Sequence, residues 1–158
     1  MSSAPRADGI CATSRFLPFP RMEVFAAFSE ANRLAAWWGP DGFTNTFERF
    51  EFVPQGRWTF VMHGPDGTSY PNECVFLDVS PTNIVIQHTC APHFTLTVTL
   101  EDAEGGTLLH WSQAFPDPQV AASIWHVIEP SNEQNLNRLH AVLSVSYTHL
   151  TLPTSDLV

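Results

Sequence analysis

Phe94, Leu96, Val98 and Leu100 alternate with Thr95, Thr97 and Thr99, a strict period of two that belongs to a strand with one buried face. The same alternation recurs throughout residues 43–115. Turn chemistry cuts it at Pro54-Gln55-Gly56, Gly64-Pro65-Asp66-Gly67, Pro81-Thr82-Asn83, Ala91-Pro92 and Glu104-Gly105-Gly106. The pieces are strands at 43–53, 57–63, 70–79, 84–90, 93–100 and 107–115. Turns this short join neighbours antiparallel, so the block is a meander. Residues 14–19 add a short strand whose Pro18 and Pro20 suit an edge or a strand end.

Helices flank the strands. Val24, Phe25 and Phe28 share one face of a short helix. Ser29 offers a cap for a second helix carrying Leu34, Trp37 and Trp38, which Gly39-Pro40-Asp41-Gly42 ends. Asp117-Pro118 is an N-cap followed by a first-turn proline. Beyond it Val120, Ile124, Val127 and Ile128 form a stripe that Leu136, Leu139, Val142 and Leu143 continue. Pro130 and the capping box Ser131-x-x-Gln134 leave two arrangements open: one long helix kinked at Pro130, or two stacked segments. The class is α+β. Residues 1–13 form a flexible lead-in and 14–145 one domain. Residues 146–158 form an extended tail, with an appended non-native segment favoured over a native one.

Charge and residue usage exclude several functions. Seven Arg and no Lys stand against sixteen acidic residues, for a formal charge of −9. An acidic domain without a basic run is a poor ligand for nucleic acid or anionic membranes. Without Lys there is no Schiff-base chemistry. Cys11, Cys74 and Cys90 are odd in number and lack a C-x-x-C pair, which argues against disulfides and thiolate zinc. No apolar run spans a membrane and no signal-peptide core is visible, so a reducing, cytoplasmic setting is expected. The histidines show no H-x-x-x-H or H-x-H pair, and no phosphate loop or G-x-S-x-G elbow exists. Neither a metal nor a cofactor is expected.

The order of elements is that of the helix-grip arrangement. At Val24-Phe25-x-Ala27-Phe28 and Leu34-x-x-Trp37-Trp38-Gly39-Pro40-x-Gly42-Phe43-Thr44 the sequence resembles the SRPBCC (START-like) superfamily. Within it the likeness is to the branch of heat-shock-protein-90 ATPase activator homologues and polyketide cyclase-like proteins. Gly56-Arg57-Trp58-x-Phe60-x-Met62-x-Gly64-Pro65-Asp66-Gly67 and Glu133-Gln134-Asn135-x-x-Arg138-Leu139 carry it further. One departure is the family's acidic-x-Arg-Pro-Gly-Gly turn, which here reads Glu51-Phe52-Val53-Pro54-Gln55-Gly56. The resemblance implies a curved antiparallel sheet wrapped around a long C-terminal helix, two short helices after the first strand, and a cavity for a small hydrophobic ligand.

Alternation assigns the concave face. It carries Trp58, Phe60, Met62, Tyr70, Asn72 and Phe76 from the central hairpin, with His88, Phe94, Trp111, Gln113 and Phe115 from later strands. Apolar walls with a few polar groups suit a small-molecule site. His88 is the acid/base candidate, because imidazole titrates near neutrality. Tyr70 or Asn72 beside it would polarise a carbonyl, as an aldol-type cyclisation requires. One of Trp37 and Trp38 is expected to anchor its helix. The other, taken as Trp38, is half exposed as a lid over ligand or a contact for a partner. Binding of a hydrophobic or aromatic ligand, with or without catalysis, is the leading reading. A co-chaperone-like interaction module is the alternative, and a homodimer stays open.

Overall fold

The computed structural model describes the backbone of residues 4–151 and side chains as far as Ser146. A first strand β1 (Ile10–Leu17) leads into two short helices, α1 (Arg21–Ser29) and α2 (Ala31–Trp37). Six strands follow: β2 (Thr44–Phe50), β3 (Arg57–His63), β4 (Ser69–Ser80), β5 (Asn83–His88), β6 (Phe94–Ala103) and β7 (Gly106–Ala114). A long helix α3 (Pro118–Thr151) is the last element among the described residues. The seven strands make one sheet in the order β1-β7-β6-β5-β4-β3-β2. Every pairing is antiparallel. The sheet curves around α3, the helix-grip form of an α+β fold.

Several boundaries differ from the sequence expectation for local reasons. β1 begins at Ile10 because its backbone pairs with β7 from Ile10 opposite Ala114, and the Asp8 carboxylate accepts the Ile10 N–H at 3.1 Å. Ladder bonds recruit Ile10, Cys11, Ala12 and Thr13, a run too short and mixed to show a period of its own, and the lead-in of 1–13 is shorter by four residues. Ser29 is the last residue of α1 and bonds back to the Ala26 carbonyl, so the extended residue Glu30 takes the N-cap position of α2, without a side-chain capping bond. At the other end Asp117 does cap α3, its Oδ1 accepting the Gln119 N–H at 2.9 Å.

Of the two arrangements around Pro130, a single continuous helix is the one formed. Gln134 does not restart it, because its side-chain oxygen accepts the Asp41 N–H at 3.1 Å instead. Residues 146–151 prolong α3 and are not extended. Their weak propensities cost only tenths of a kcal/mol per residue, about what an existing helix tolerates on elongation. The remaining tail, 152–158, lies outside the described residues.

The turn that departs from the family pattern is held by local contacts. Gln55 takes the left-handed φ of 67°. Gly56 follows it where an added Cβ would run into the Glu51 carbonyl, so only glycine fits. The Glu51 carboxylate accepts the Arg57 N–H at 2.8 Å, and the Phe76 carbonyl accepts the Gln55 N–H at 2.6 Å.

Two apolar clusters fill the interior. The larger joins α1, α2 and the distal half of α3 to the sheet through Val24, Phe28, Trp37, Leu136, Leu139 and Leu143. Its densest part is aromatic: Trp58 stacks on Phe60 at 4.2 Å and on Phe76 at 5.7 Å, with Trp38 edge-on at 5.0 Å. The smaller cluster holds Cys11, Phe115, Ala121 and Trp125 under the first turns of α3. Between these two packed regions the sheet and α3 stand apart.

Candidate functional site: a cavity between sheet and helix

The gap is a cavity of about 230 Å³. Its sheet wall is built from Phe60, Met62, Asn72, Cys74, Ile86 and His88, then Leu96, Trp111 and Gln113 further across. Phe94 and Pro92 close one side, Trp38, Gly39 and Pro40 another. The α3 wall presents Ile128, Ser131, Asn132 and Asn135. No Asp, Glu, Arg or Lys stands among these residues. A larger groove of about 550 Å³ runs outside, between β1 and α3, past Cys11, Thr13, Pro130 and Glu133. It is a surface feature, and Asn132 borders both spaces.

Eight of the twelve residues expected around a ligand meet here: Trp38, Phe60, Met62, Asn72, His88, Phe94, Trp111 and Gln113. The other four do not line it. Trp58 and Phe76 point inward, but aromatic neighbours cover them completely. Phe115 packs into the smaller cluster. Tyr70 is 44% exposed at the tip of the hairpin, with its ring 5.9 Å from Phe43. Strand parity assigns a face, and Tyr70 lies where that face has already run past the body of the domain.

Both tryptophans of the Trp37-Trp38 pair are buried, so neither is half exposed. The indole of Trp37 donates to the Ala27 carbonyl at 3.0 Å, tying α2 to α1. Trp38 leaves the helix in extended conformation and turns its ring into the cavity wall, 5.9 Å from Trp111. The break after Trp37 lets adjacent residues both face inward, which a continued helix forbids.

That loop is held from α3. The Arg138 guanidinium donates to five carbonyls, those of Ala36, Trp38, Gly39, Pro40 and Phe43, at 2.8–3.2 Å. The Asn135 side-chain oxygen accepts the Gly39 N–H at 3.1 Å. Sequence reading placed these α3 residues in a motif without giving them a role. The signal available was polar Asn132 and Asn135 at i and i+3, on the face that Leu136 and Leu139 make apolar.

His88 is buried, with its ring stacked 4.6 Å from Phe94. Its Nδ1 lies 2.8 Å from the Pro92 carbonyl and its Nε2 2.7 Å from the Asn72 side-chain oxygen. The orientation of Asn72 follows from its amide N–H, which donates to the Tyr70 carbonyl at 2.8 Å. A neutral imidazole has one N–H for two oxygens, and a second proton would satisfy both. The Cys90 thiol is a more distant neighbour of Nε2 at 3.5 Å. Burial outweighs the help of the Pro92 and Cys90 backbone groups, and nearby His93 acts with it, so the pKa sits below the ordinary 6.5.

A base whose pKa falls on folding takes up protons more readily when unfolded. The stability contributed by neutral His88 is therefore complete above the unfolded value of about 6.5 and is lost as pH falls through the folded value. The urea midpoint should fall less on acidification in His88→Phe than in the unmodified protein. Parallel pH profiles for the two proteins would refute this.

Among the described residues no three His, Cys, Asp or Glu side chains gather as a metal site requires. No described helix is long and apolar enough to cross a membrane.

Comparison with known proteins places this architecture. The family described as "Activator of Hsp90 ATPase homolog 1-like protein" matches residues 18–144. Among solved structures, a protein from Nitrosomonas europaea superposes with a TM-score of 0.82 at 20% identity, covering 90% of this chain and 99% of its own. A protein from Arthrobacter aurescens gives 0.81 at 22% identity, covering 87% of each chain. The AHSA1 protein from Silicibacter pomeroyi gives 0.71 at 19% identity, covering 87% of this chain and 99% of its own. At these identities the likeness is one of fold. No curated protein sequence matches the chain significantly.

Proposed function

The chain belongs to the family of Activator of Hsp90 ATPase homolog 1-like proteins, and on that footing we propose that it binds a small aromatic or otherwise hydrophobic molecule in the cavity between the sheet and α3. One observation carries the reading. The interior is packed on both sides of a space of about 230 Å³, and that space has aromatic walls with a few fixed polar groups. Such lining is the usual form of a ligand site. In the catalytic form of the proposal, the bound molecule takes the place of the Asn72 oxygen at His88 Nε2 and exchanges a proton there while the Pro92 carbonyl holds Nδ1, the acid/base half of a polyketide cyclase-like reaction. The free thiols Cys11, Cys74 and Cys90 fit a cytoplasmic setting.

The co-chaperone-like alternative asked for an exposed apolar patch at Trp38. That residue is only 9% exposed, which favours the cavity over the surface. Native mass spectrometry of protein isolated without denaturation tests the reading. The expected result is a small organic adduct that leaves on activation, and the same spectrum reads a monomer or homodimer. With no adduct, and no saturable quenching of tryptophan fluorescence by aromatic probes such as naphthalene, the proposal fails.

A further inference from the structure

Resting on that reading, we propose that the cavity orients its occupant by a carbonyl or similar acceptor oxygen, received on the helix wall by the side-chain N–H of Asn135. Asn135 stands on α3 among the residues that line the space, and it is 7% exposed. Its oxygen accepts the Gly39 N–H at 3.1 Å, and its nitrogen has no partner among the described residues. Nor is that nitrogen among the unpartnered atoms sealed from solvent, so it meets open space. The Trp111 indole nitrogen also lacks a partner, but it is sealed and cannot reach an occupant.

Two other wall donors are uncommitted among the described residues, the Ser131 hydroxyl and the Gln113 amide N–H. What sets Asn135 apart is how it is held. A backbone N–H only donates, so the Gly39 N–H fixes which end of the Asn135 amide is oxygen and turns the amide N–H away from the loop. The Gln113 oxygen accepts from another side chain, Asn132, at 3.0 Å, and two paired amides can reverse together. A serine hydroxyl in a helix rotates, and the carbonyl four residues back, here that of Val127, is an alternative partner for it. A donor already fixed in direction loses the least freedom on binding.

A carbonyl drawn toward His88 needs a donor on its oxygen, a part that alternation gave to Tyr70 or Asn72. Tyr70 lies outside the cavity, and the Asn72 amide N–H already donates to the Tyr70 carbonyl at 2.8 Å. Asn135 supplies the donor from the wall that faces the sheet, where His88 stands.

Acetophenone and α-methylstyrene share one shape, with C=O in the first where the second has C=CH2. Calorimetric titration of the full chain with both gives a ratio of affinities from which burial of the ring cancels. Asn135→Asp keeps an oxygen for the Gly39 N–H and, ionised at mildly alkaline pH, replaces the amide N–H by a second oxygen. It should lower the affinity for acetophenone relative to α-methylstyrene about tenfold, the effect of one buried hydrogen bond, and leave α-methylstyrene within about threefold. Ser131→Ala should move the ratio by less than about threefold. A ratio unchanged in Asn135→Asp, or lowered as much by Ser131→Ala, overturns the inference. Should Asn135→Asp disturb the loop and lose both probes, nuclear magnetic resonance of the unmodified chain decides. The Asn135 side-chain amide protons should then shift downfield with acetophenone and not with α-methylstyrene, and equal shifts or none refute the role. If neither probe binds the unmodified chain, cavity binding itself falls.

Discussion

Arg138→Ala should lower the unfolding free energy by about 3 kcal/mol or more, a large part of the 5–15 kcal/mol usual for a domain. One guanidinium serves five backbone carbonyls between Ala36 and Phe43. Hydrogen bonds from a charged donor contribute roughly 1.5–3 kcal/mol each, though bonds sharing a donor are not additive. Truncation also takes a donor from part-buried oxygens of a tight loop, although the Trp38 carbonyl keeps the Asn45 amide and the Pro40 carbonyl keeps the Phe43 N–H. Lysine keeps the charge but concentrates its donors at one point, so Arg138→Lys should recover less than half of the loss. Urea unfolding of the three proteins measures this. A loss under about 1 kcal/mol for alanine, or full rescue by lysine, would show that packing of Trp37 and Trp38 and the Asn135 and Gln134 bonds hold the loop without the guanidinium fork.

Ile86→Trp should abolish ligand binding while the protein still folds. Ile86 is 2% exposed on β5, between Phe76 and Leu96 on the neighbouring strands, and its side chain lines the cavity. Adding bulk to a filled core costs about 1–3 kcal/mol, but here the indole has empty space to enter. The variant should therefore keep the far-ultraviolet circular dichroism of the parent and lose about a hundredfold or more in affinity for aromatic probes. Retained affinity would place the ligand elsewhere, with the β1–α3 groove at Cys11 and Pro130 the next place to look.

Much of this fold was legible in the residues. Period-two alternation and proline–glycine turns gave seven strands, and the apolar stripe from Val120 to Leu143 gave the gripping helix. What alternation cannot supply is distance. It put Trp58 and Phe76 on the concave face, where they are, but could not tell that Phe47, Phe50 and Phe52 would cover them. Phe115 likewise faces inward, beneath a different turn of α3. Tyr70 was misplaced because parity continues past the end of the body it would cover. His88 and Asn72 were found together because they share a face on adjacent strands. The Pro92 carbonyl that holds the other ring nitrogen comes from a loop, which has no period to read.

The contacts from α3 to the Trp38–Phe43 loop have a consequence for how this scaffold can vary. Arg138, Asn135 and Gln134 all grip main-chain atoms, which any residue offers. Gly39 is restricted by its φ of 99° and by Met62, and Trp38 by its place in the wall. Pro40 and Asp41 carry no such demand from the clamp, which takes a carbonyl from one and an N–H from the other. One rim of the cavity can thus be rewritten without loosening what holds it, so descendants of this chain could exchange one guest for another by substitutions that leave the architecture untouched.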